Sequence, residues 1–325
     1  MKFPHRRQFL QTAAVAATAP VMLSLARAQA FPSRPITLVV PFAAGTGSDV
    51  LARLLGQRLS AAIGQGVIID NKVGANGVVA ARYVARAIPD GYTLFLGTNT
   101  AMSANPFLMK DTGYDPAKDF QPISRIGSYT FFLAVNAGVP AKSVKELLHY
   151  AKANPGKLTF GSGFSTALII AESIKRAADV DFAIIPYKGG GPINDVIAGH
   201  ISMLLADVQV ALPHVQKGSM RALAITGKQR SSLAPDVPTM AEAGLPDVDI
   251  TAWAGLFGPA NTSNEIVRRL NTEVRRIVDD PEVRSRLAAT GFDTQSSTPE
   301  ELRDWVQSQL ALYGNLIKRA GLVAE

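Results

Sequence analysis

Short aliphatic segments alternate with amphipathic ones from Ile36 onward, and this alternation constrains the fold more than any other feature of the sequence. Strands are predicted at 36–42, 67–71, 93–98, 131–135, 158–161, 183–187, 201–206 and 221–226. Helices are predicted at 48–63, 76–87, 144–153, 167–178, 193–198, 265–279, 281–289 and 299–320. Because parallel strands need long crossover connections that are usually helical, this order predicts an α/β fold with mainly parallel sheets.

Two of the predicted strand–turn–helix units resemble each other. Residues 39–52 read VVPFAAGTGSDVLA and residues 184–198 read IIPYKGGGPINDVIA. Any strand–turn–helix unit shares some of these features, which is one interpretation. The other is that two similar lobes each present a loop to a shared cleft, since ligands of open α/β sheets bind beyond the carboxyl ends of the strands. Such lobes would close on a ligand by a hinge motion.

The composition argues against several classes of function. The 325 residues contain no cysteine and four histidines, and no histidine has a metal-ligand spacing with an acidic partner, so no metal site is expected. The turn around Gly45 and Gly47 lacks the third glycine of a dinucleotide fingerprint, and no cofactor is expected. Residues 31–325 carry 29 basic and 26 acidic residues, which are scattered along the chain and do not indicate a nucleic-acid partner.

The candidate for an enzymatic nucleophile is Ser165. It lies in the segment GFSTA, which follows a predicted strand and opens a predicted helix like a nucleophile elbow, although alanine replaces the final glycine. A hydrolase would combine Ser165 with Asp195 or Asp207 and with His214. Serine at a helix start more often caps the helix or donates to an anion. A secreted α/β hydrolase that uses Ser165 is therefore the alternative hypothesis, and the chain is not expected to be an enzyme.

Residues 1–30 are predicted to be a twin-arginine-like signal peptide that is removed on export. The segment has an arginine pair near its start, an apolar stretch at 12–26, no acidic residue, and small residues around Ala28 and Ala30. Export by the general secretory route stays open. A membrane anchor is disfavoured because the apolar stretch is shorter than the ~20 residues of a spanning helix and contains a proline.

Several segments of the mature chain resemble the Bug family, the extracytoplasmic solute receptors of tripartite tricarboxylate transporters. These segments are PFAAGTGSD, NKVGANG, PDGYTLFLGT, PYKGGGPINDVIAGHI, RALAITGKQRSSLAPDVPTMAEAGLP and WAGLFGPA. The resemblance implies a two-lobe periplasmic-binding-protein fold of type II, with two crossover strands at the hinge. It also implies a monomeric periplasmic receptor that binds a small carboxylate by hinge closure, delivers it to a membrane permease and performs no chemistry.

The resemblance also implies where the lobes lie. Lobe 1 is expected at 31–130 and 255–325, and lobe 2 at 131–254. The crossings between them are expected near 128–135 and 250–257. Members of the family bind dicarboxylates, aromatic acids or amino acids, and this resemblance does not choose among them. The segment GSGFSTALIIAES is shorter than in many relatives and has Leu168 where histidine is frequent, which leaves the ligand of this chain undefined.

Carried over onto this sequence, the family pattern implies a set of ligand-binding residues at loops and helix starts in both lobes. They are Phe42, Ala43, Ala44, Gly45, Thr46, Ser48, Asp49, Asn76, Thr98, Ser162, Ser165, Thr166, Tyr187, Gly189, Gly190 and Asp207. Backbone N–H groups at such helix starts favour a negative charge. Three roles stay open for Asp49: a helix cap, a residue that holds a water, or a partner for the amine of an amino-acid ligand.

Overall fold

The computed structural model describes residues 31–187, 192–248 and 250–324, and this part of the chain contains two β-sheets. The strands, in chain order, are β1 Ile36–Val40, β2 Val67–Asn71, β3 Thr93–Thr98, β4 Phe120–Tyr129, β5 Phe131–Asn136, β6 Thr159–Ser162, β7 Ala183–Pro186, β8 Met203–Asp207, β9 Met220–Ile225, β10 Ala252–Pro259 and β11 Phe292–Thr294. The strands predicted at 67–71 and 93–98 have these bounds in the structure, and the other predicted strands differ by one or two residues at their ends.

Each sheet combines parallel and antiparallel strands. The first has the order β11-β4-β10-β3-β1-β2, in which β1, β2 and β3 run parallel and β10 pairs antiparallel with β3 and β4. The second has the order β7-β6-β8-β5-β9, in which β6 runs parallel to β7 and β8 while β5 pairs antiparallel with β8 and β9. The predicted α/β fold with two sheets is confirmed, and its sheets are more mixed than the sequence alone suggests.

Helices connect and cover these strands. They are α1 Gly47–Ile63, α2 Val78–Ala85, α3 Asn105–Leu108, α4 Val144–Ala153, α5 Ser165–Ala178, α6 Ile193–Ala198, α7 Val208–Gln216, α8 Asn264–Val278, α9 Pro281–Ala288 and α10 Pro299–Arg319. Short 3₁₀ turns at Ala75–Gly77 and Pro246–Val248 and a π-helical turn at Thr100–Ala104 complete them. None of the helices in the described ranges combines the length and the apolar composition of a membrane span.

Local sequence signals explain several helix ends. Thr298 and Glu301 form a capping box at the start of α10, where Pro299 occupies the first turn. The Asp280 side chain caps α9 by accepting a hydrogen bond from the Val283 N–H, and Pro281 follows it. At the other end of α1, Gly64 adopts the left-handed conformation that terminates the helix.

The chain crosses between the two sheets twice. The first crossing is at Thr130, because β4 of the first sheet ends at Tyr129 and β5 of the second begins at Phe131. The chain returns between β9 and β10, and β10 pairs with β4 from Ala252 onward. Both crossings fall at or beside the segments predicted for them, 128–135 and 250–257. The lobe boundaries at 130 and 255 stay a prediction.

Two well-formed elements have no counterpart in the sequence prediction. β4 contains Pro122, Arg125 and Gly127, which interrupt the pattern of a strand, and its pairing with β10 shifts register near Pro122. α7 contains Pro213, which normally ends a helix pattern. Long-range pairing stabilises β4 where its local propensity does not, which is why the sequence pattern missed it.

A substitution at Gly127 tests the packing of β11 on β4. A Cβ atom at Gly127 would lie 2.1 Å from the backbone oxygen of Asp293 in β11, and a backbone atom cannot move aside cheaply. Gly127→Ala is therefore expected to lower the free energy of unfolding by about 2–3 kcal/mol. Gly218→Ala is the matched control: Gly218 also has a positive φ, of 74°, but open space around it, and should cost only about 1 kcal/mol. Urea denaturation of both variants measures the difference, and equal losses would contradict the packing argument.

Candidate functional site

A cavity of about 410 Å³ is lined by residues of both sheets. The first sheet contributes the loop after β1, the start of α1 and the residues at the end of β3. The second contributes the end of β8 and the starts of α5, α6 and α7. Tyr129 and Phe131, on either side of the first crossing, also line it. The cavity thus lies beyond the carboxyl ends of strands from both sheets, where α/β proteins bind ligands.

The loop between β1 and α1 holds five of the residues predicted to bind a ligand. The predicted residues Phe42, Ala43, Ala44, Gly45 and Thr46 all line the cavity. Within the described part of the chain, the backbone N–H groups of Ala43 and Ala44 donate to no other group. Gly45 has a φ of 85°, which turns the chain into the helix and is strained for residues with a side chain. The loop therefore offers backbone donors to a ligand in the cavity.

Asp49 does not line the cavity, but its hydrogen bonds hold the loop in place. Its buried carboxylate accepts hydrogen bonds from the Gly45 N–H at 2.9 Å, from Arg53 Nε at 2.9 Å and from Asn71 Nδ2 at 3.0 Å. Burial raises the pKa of Asp49, but the hydrogen bonds from Arg53, Gly45 and Asn71 outweigh burial and hold the pKa below its usual value. Of the three roles left open by the sequence, none describes this arrangement: Asp49 binds the residue before the N-cap and sets the shape of the loop.

Two hydroxyl groups of the first sheet point to an acceptor in the cavity. Thr98 lines the cavity, is 2% exposed, and its Oγ1 has no hydrogen-bond partner among the described residues. Ser48 accepts from the Tyr129 hydroxyl at 3.1 Å, which leaves the Ser48 proton available. Burial raises the pKa of Tyr129 above its usual value, so this tyrosine stays protonated and keeps donating. A buried hydroxyl without a partner is costly, and a bound acceptor would satisfy it.

Hydrogen bonds join the two sheets' helices beside the cavity. Asn99 follows β3, lines the cavity and donates from Nδ2 to the Thr166 hydroxyl of α5 and to the Tyr313 hydroxyl of α10. The Ser165 hydroxyl donates to Asn105 Oδ1 at 3.1 Å. These contacts hold the start of α5 against the first sheet and its helices, as expected for a closed cleft.

Asp207 is the charged side chain that lines the cavity in the described part of the chain. It ends β8 and lies against the start of α1, because a Cβ atom at Gly47 would be 2.9 Å from its Oδ1. Burial raises the pKa of Asp207 to about 6, and a hydrogen bond from the Gly47 backbone partly opposes this shift. The Asp207 carboxylate, from the second sheet, thus contacts the N-terminus of α1, which belongs to the first sheet.

Five further predicted residues that the structure describes lie outside the cavity lining. The hydroxyl groups of Ser165 and Thr166 make the hydrogen bonds with Asn105 and Asn99 described above. The Tyr187 hydroxyl donates a hydrogen bond to the Asp195 carboxylate. Asn76 and Ser162 accept hydrogen bonds through their backbone carbonyls, from Asn105 Nδ2 and from the Tyr187 N–H. Gly189 and Gly190 lie outside the described residues. A ligand contact of these residues stays a prediction.

Sequence reasoning did not identify several lining residues. They include Asn99, Thr100, Tyr129, Phe131, Gly163, Phe164 and the apolar residues Ile193, Leu204, Leu205, Ala206 and Val210. Tyr129 and Phe131 carried a usable signal, because they fall at the predicted first crossing, where a hinge borders the cleft. The apolar residues of β8 carried none, because a buried strand is apolar whether or not it lines a site.

The geometry does not support the hydrolase alternative. Ser165 donates to Asn105 rather than to a histidine, and Asp195 bonds to Tyr187 and lies 3.7 Å from His200. Asp207 faces the cavity and Gly47. A nucleophilic serine needs a base within hydrogen-bond reach, and Ser165 has an amide oxygen there instead. In the ranges that the structure describes, no group of three or more His, Asp or Glu residues forms a candidate metal site.

The raised pKa of Asp207 predicts how the free energy of unfolding depends on pH. Its folded-state pKa of about 6 lies above the reference value of 3.8, so the folded protein binds this proton more tightly than the unfolded chain. The resulting stabilisation is present below the unfolded pKa and is lost as the pH rises through about 6. Asp207→Asn should therefore raise the free energy of unfolding by about 1–2 kcal/mol at pH 7.5.

Urea denaturation at pH 7.5 and pH 4.5 checks this expectation. The gain should shrink at pH 4.5, where Asp207 is protonated in the folded protein. Asp181→Asn serves as a control, because Asp181 is an exposed partner of Lys175 at 3.2 Å and lies outside the cavity lining. A loss of stability for Asp207→Asn at pH 7.5 would contradict the assigned environment of the carboxyl group.

Comparison with known proteins places this chain in a family. The model of the tripartite tricarboxylate transporter family receptor, TctC, matches residues 51–322. A relative from Pseudomonas sp. strain P51, a UPF0065 protein in the tcbD-tcbE intergenic region, is 35% identical over 96% of this chain and 94% of its own length. The protein BugT of Bordetella pertussis is 31% identical over 96% of this chain and 95% of its own length.

Solved structures agree with this assignment. R. palustris Rpa4515 with adipate has a TM-score of 0.87 and 34% identity, over 91% of this chain and 100% of that one. The periplasmic binding protein BugD has a TM-score of 0.85 and 30% identity, over 91% and 100%. MatC (Rpa3494) from Rhodopseudomonas palustris with bound malate has a TM-score of 0.82 and 32% identity, over 88% and 100%. This chain therefore belongs to the receptor family of tripartite tricarboxylate transporters, which includes the Bug proteins, and it is a solute-binding receptor rather than an enzyme.

Proposed function

We propose that this protein is a monomeric periplasmic receptor that binds one small carboxylate in the cavity between its two lobes. The lobes close on the acid by a hinge motion at the two crossings. The closed receptor then delivers the acid, chemically unchanged, to the permease of a tripartite tricarboxylate transporter.

The observation that carries this proposal is the convergence of uncapped helix starts on the cavity. The N-cap residues of α1, α5 and α7 are Thr46, Phe164 and Asp207, and all three line the cavity. None of these side chains accepts a hydrogen bond from its own helix. Of the helices that start away from the cavity lining, α4, α8, α9 and α10 are each capped by a side chain, whereas α2 and α3 are not. Helix starts without caps favour an anion as the missing acceptor.

Specific donors support a carboxylate in particular. The free N–H groups of Ala43 and Ala44 and the hydroxyl groups of Ser48 and Thr98 belong to residues that line the cavity. A carboxylate has about four acceptor positions, so these groups are sufficient to bind it without an arginine or a lysine. Neutral donors at helix N-termini stabilise a negative charge of this kind.

The similar solved structures contain acids of this class, adipate in one and malate in another. Their likeness supports the class of ligand for this chain and not its identity. The contacts of Asn99 with Thr166 and of Ser165 with Asn105 support hinge closure, because they form only when the start of α5 approaches the first sheet.

A binding experiment on Thr98 tests the carboxylate site. Thr98→Val replaces the unpartnered hydroxyl by a methyl group of similar size, and should weaken binding of a responsive acid about three- to tenfold, the value of one hydrogen bond. Thr98→Ser keeps the hydroxyl and should retain most of the affinity. Adipate, malate, benzoate and glutamate are first screened by thermal shift, and the acid with the largest shift is titrated by calorimetry with and without a chelator.

One acid bound per chain, unchanged and independent of chelator, is the expected result. Ester hydrolysis that disappears in Ser165→Ala would instead support the alternative enzyme. Weakening by Thr98→Ser as strong as that by Thr98→Val would show that packing, and not the hydroxyl, carries the effect.

Export gives a separate prediction. Residues 1–30 lie outside the described residues, and the proposal that they are a cleaved signal peptide rests on their sequence and on the family. Cleavage is expected after Ala28 or Ala30. The intact mass of protein recovered from the periplasm measures this, and a chain that retains its N-terminal arginine pair would contradict it.

A further inference from the structure

We infer that the cavity selects monocarboxylates with an apolar body and discriminates against dicarboxylates, with Asp207 as the residue that sets this selectivity. The inference rests on the proposed function, since it narrows the class of acid that the same cavity binds. It differs from what the adipate and malate complexes of the similar structures would suggest for this chain.

The two sheets line the cavity with different chemistry. The first sheet and its loops contribute the polar groups, among them Ala43 N–H, Ser48, Thr98 and Thr100. The second sheet and its helices contribute two polar side chains, Asn194 and Asp207, and otherwise mainly apolar ones, which are Phe164, Pro192, Ile193, Leu204, Leu205, Ala206 and Val210. One carboxylate thus finds donors on the first side, and the rest of the ligand meets hydrocarbon on the second. Among the described lining residues of this side, Asn194 is the one uncharged polar side chain, and Asp207 is itself the N-cap of α7. A second carboxylate placed there would therefore lose more water than these groups replace.

An aromatic row extends this apolar wall across the hinge. The rings of Phe131 and Phe164 lie 5.0 Å apart, and those of Tyr129 and Phe131 lie 6.3 Å apart. All three residues line the cavity. Rings at these separations present edges and faces that pack well against a planar or aliphatic ligand body.

With one ligand carboxylate bound, negative charge already outweighs the positive charge of the helix ends at the cavity. The N-termini of α1, α5 and α7 contribute about half a positive charge each. Asp207 lies against Gly47 at the first of these helices and is itself the N-cap of the third. Asp207 and one ligand carboxylate together therefore exceed the positive charge that the three helix ends supply. A second ligand carboxylate would meet a net negative site.

Repulsion inside the cavity is weakly screened. Water and salt screen charges that are exposed, but pairs of charges in an enclosed site are screened much less. Among the described lining residues, no lysine or arginine offsets Asp207. Over most of the described lining, a dicarboxylate therefore places its second charge against hydrocarbon or near a like charge, and both arrangements are unfavourable.

Hexanoate and adipate are the matched probes, because they share six carbons and differ only in the second carboxylate. Calorimetry at pH 7.5 on the mature protein should give an affinity for hexanoate at least about tenfold higher than for adipate. Phenylacetate, a monocarboxylate with an aromatic body, should also bind more tightly than adipate.

Asp207→Asn removes the charge and keeps the shape of the side chain. It should shift the ratio of adipate to hexanoate affinity toward adipate by at least about tenfold. Asp181→Asn removes a charge of the second lobe outside the cavity lining and should leave the ratio unchanged. Circular dichroism of each variant confirms that it is folded before titration.

The outcomes separate this inference from the proposed function. Tighter binding of adipate than of hexanoate, or an unchanged ratio in folded Asp207→Asn, overturns the inference and leaves the carboxylate receptor standing. Binding of none of hexanoate, phenylacetate, adipate, malate, benzoate and glutamate overturns the proposed function and the inference together. The expected preference for the monocarboxylates, reduced in Asp207→Asn and kept in Asp181→Asn, supports both.

Discussion

The hydrogen bonds to the buried Asp49 carboxylate are the interaction on which the binding loop depends. They join the backbone of Gly45 in the loop, the side chain of Asn71 at the end of β2 and the side chain of Arg53 one turn along α1. Asn71 also donates to the carbonyl of Phe42 at 2.9 Å, which ties the beginning of the loop to the same group. The loop is therefore shaped on folding, and a ligand does not bear the cost of ordering it.

The sequence predicted the parts of the fold that local pattern determines. Strands of aliphatic residues that end in glycine-rich turns, such as β1, and helices with clear caps, such as α10, were placed within a few residues. β4 and α7 were missed because Pro122, Gly127 and Pro213 break their local pattern and only tertiary pairing overrides it. The limit is physical: local propensity is a weak guide wherever a neighbouring strand provides the missing stability.

The same distinction between local sequence pattern and tertiary packing applies to the candidate site. The loop at 42–46 is contiguous in sequence, so a motif could predict that its residues share one surface. Phe131 and Phe164 are far apart in sequence, and only the pairing of β5 with β8 and the position of α5 bring their rings within 5.0 Å. Ser165 and Thr166 were expected to contact the ligand because they open a helix. The structure uses their hydroxyls to hold α5 against Asn105 and Asn99, a choice that no local pattern distinguishes.

The contact of Asp207 with Gly47 shows how the meeting of the two sheets shapes the chemistry of the site. They belong to different sheets, and the carboxylate reaches the start of α1 only because Gly47 has no side chain in its path. In an open cleft the start of α1 and Asp207 would each face water, and their charges would be solvated separately. The closure that we propose would remove that water and place a fixed negative charge beside the helix ends of the cavity. Under that proposal the closed state decides the charge that a ligand can carry, and selectivity and closure depend on the same contact.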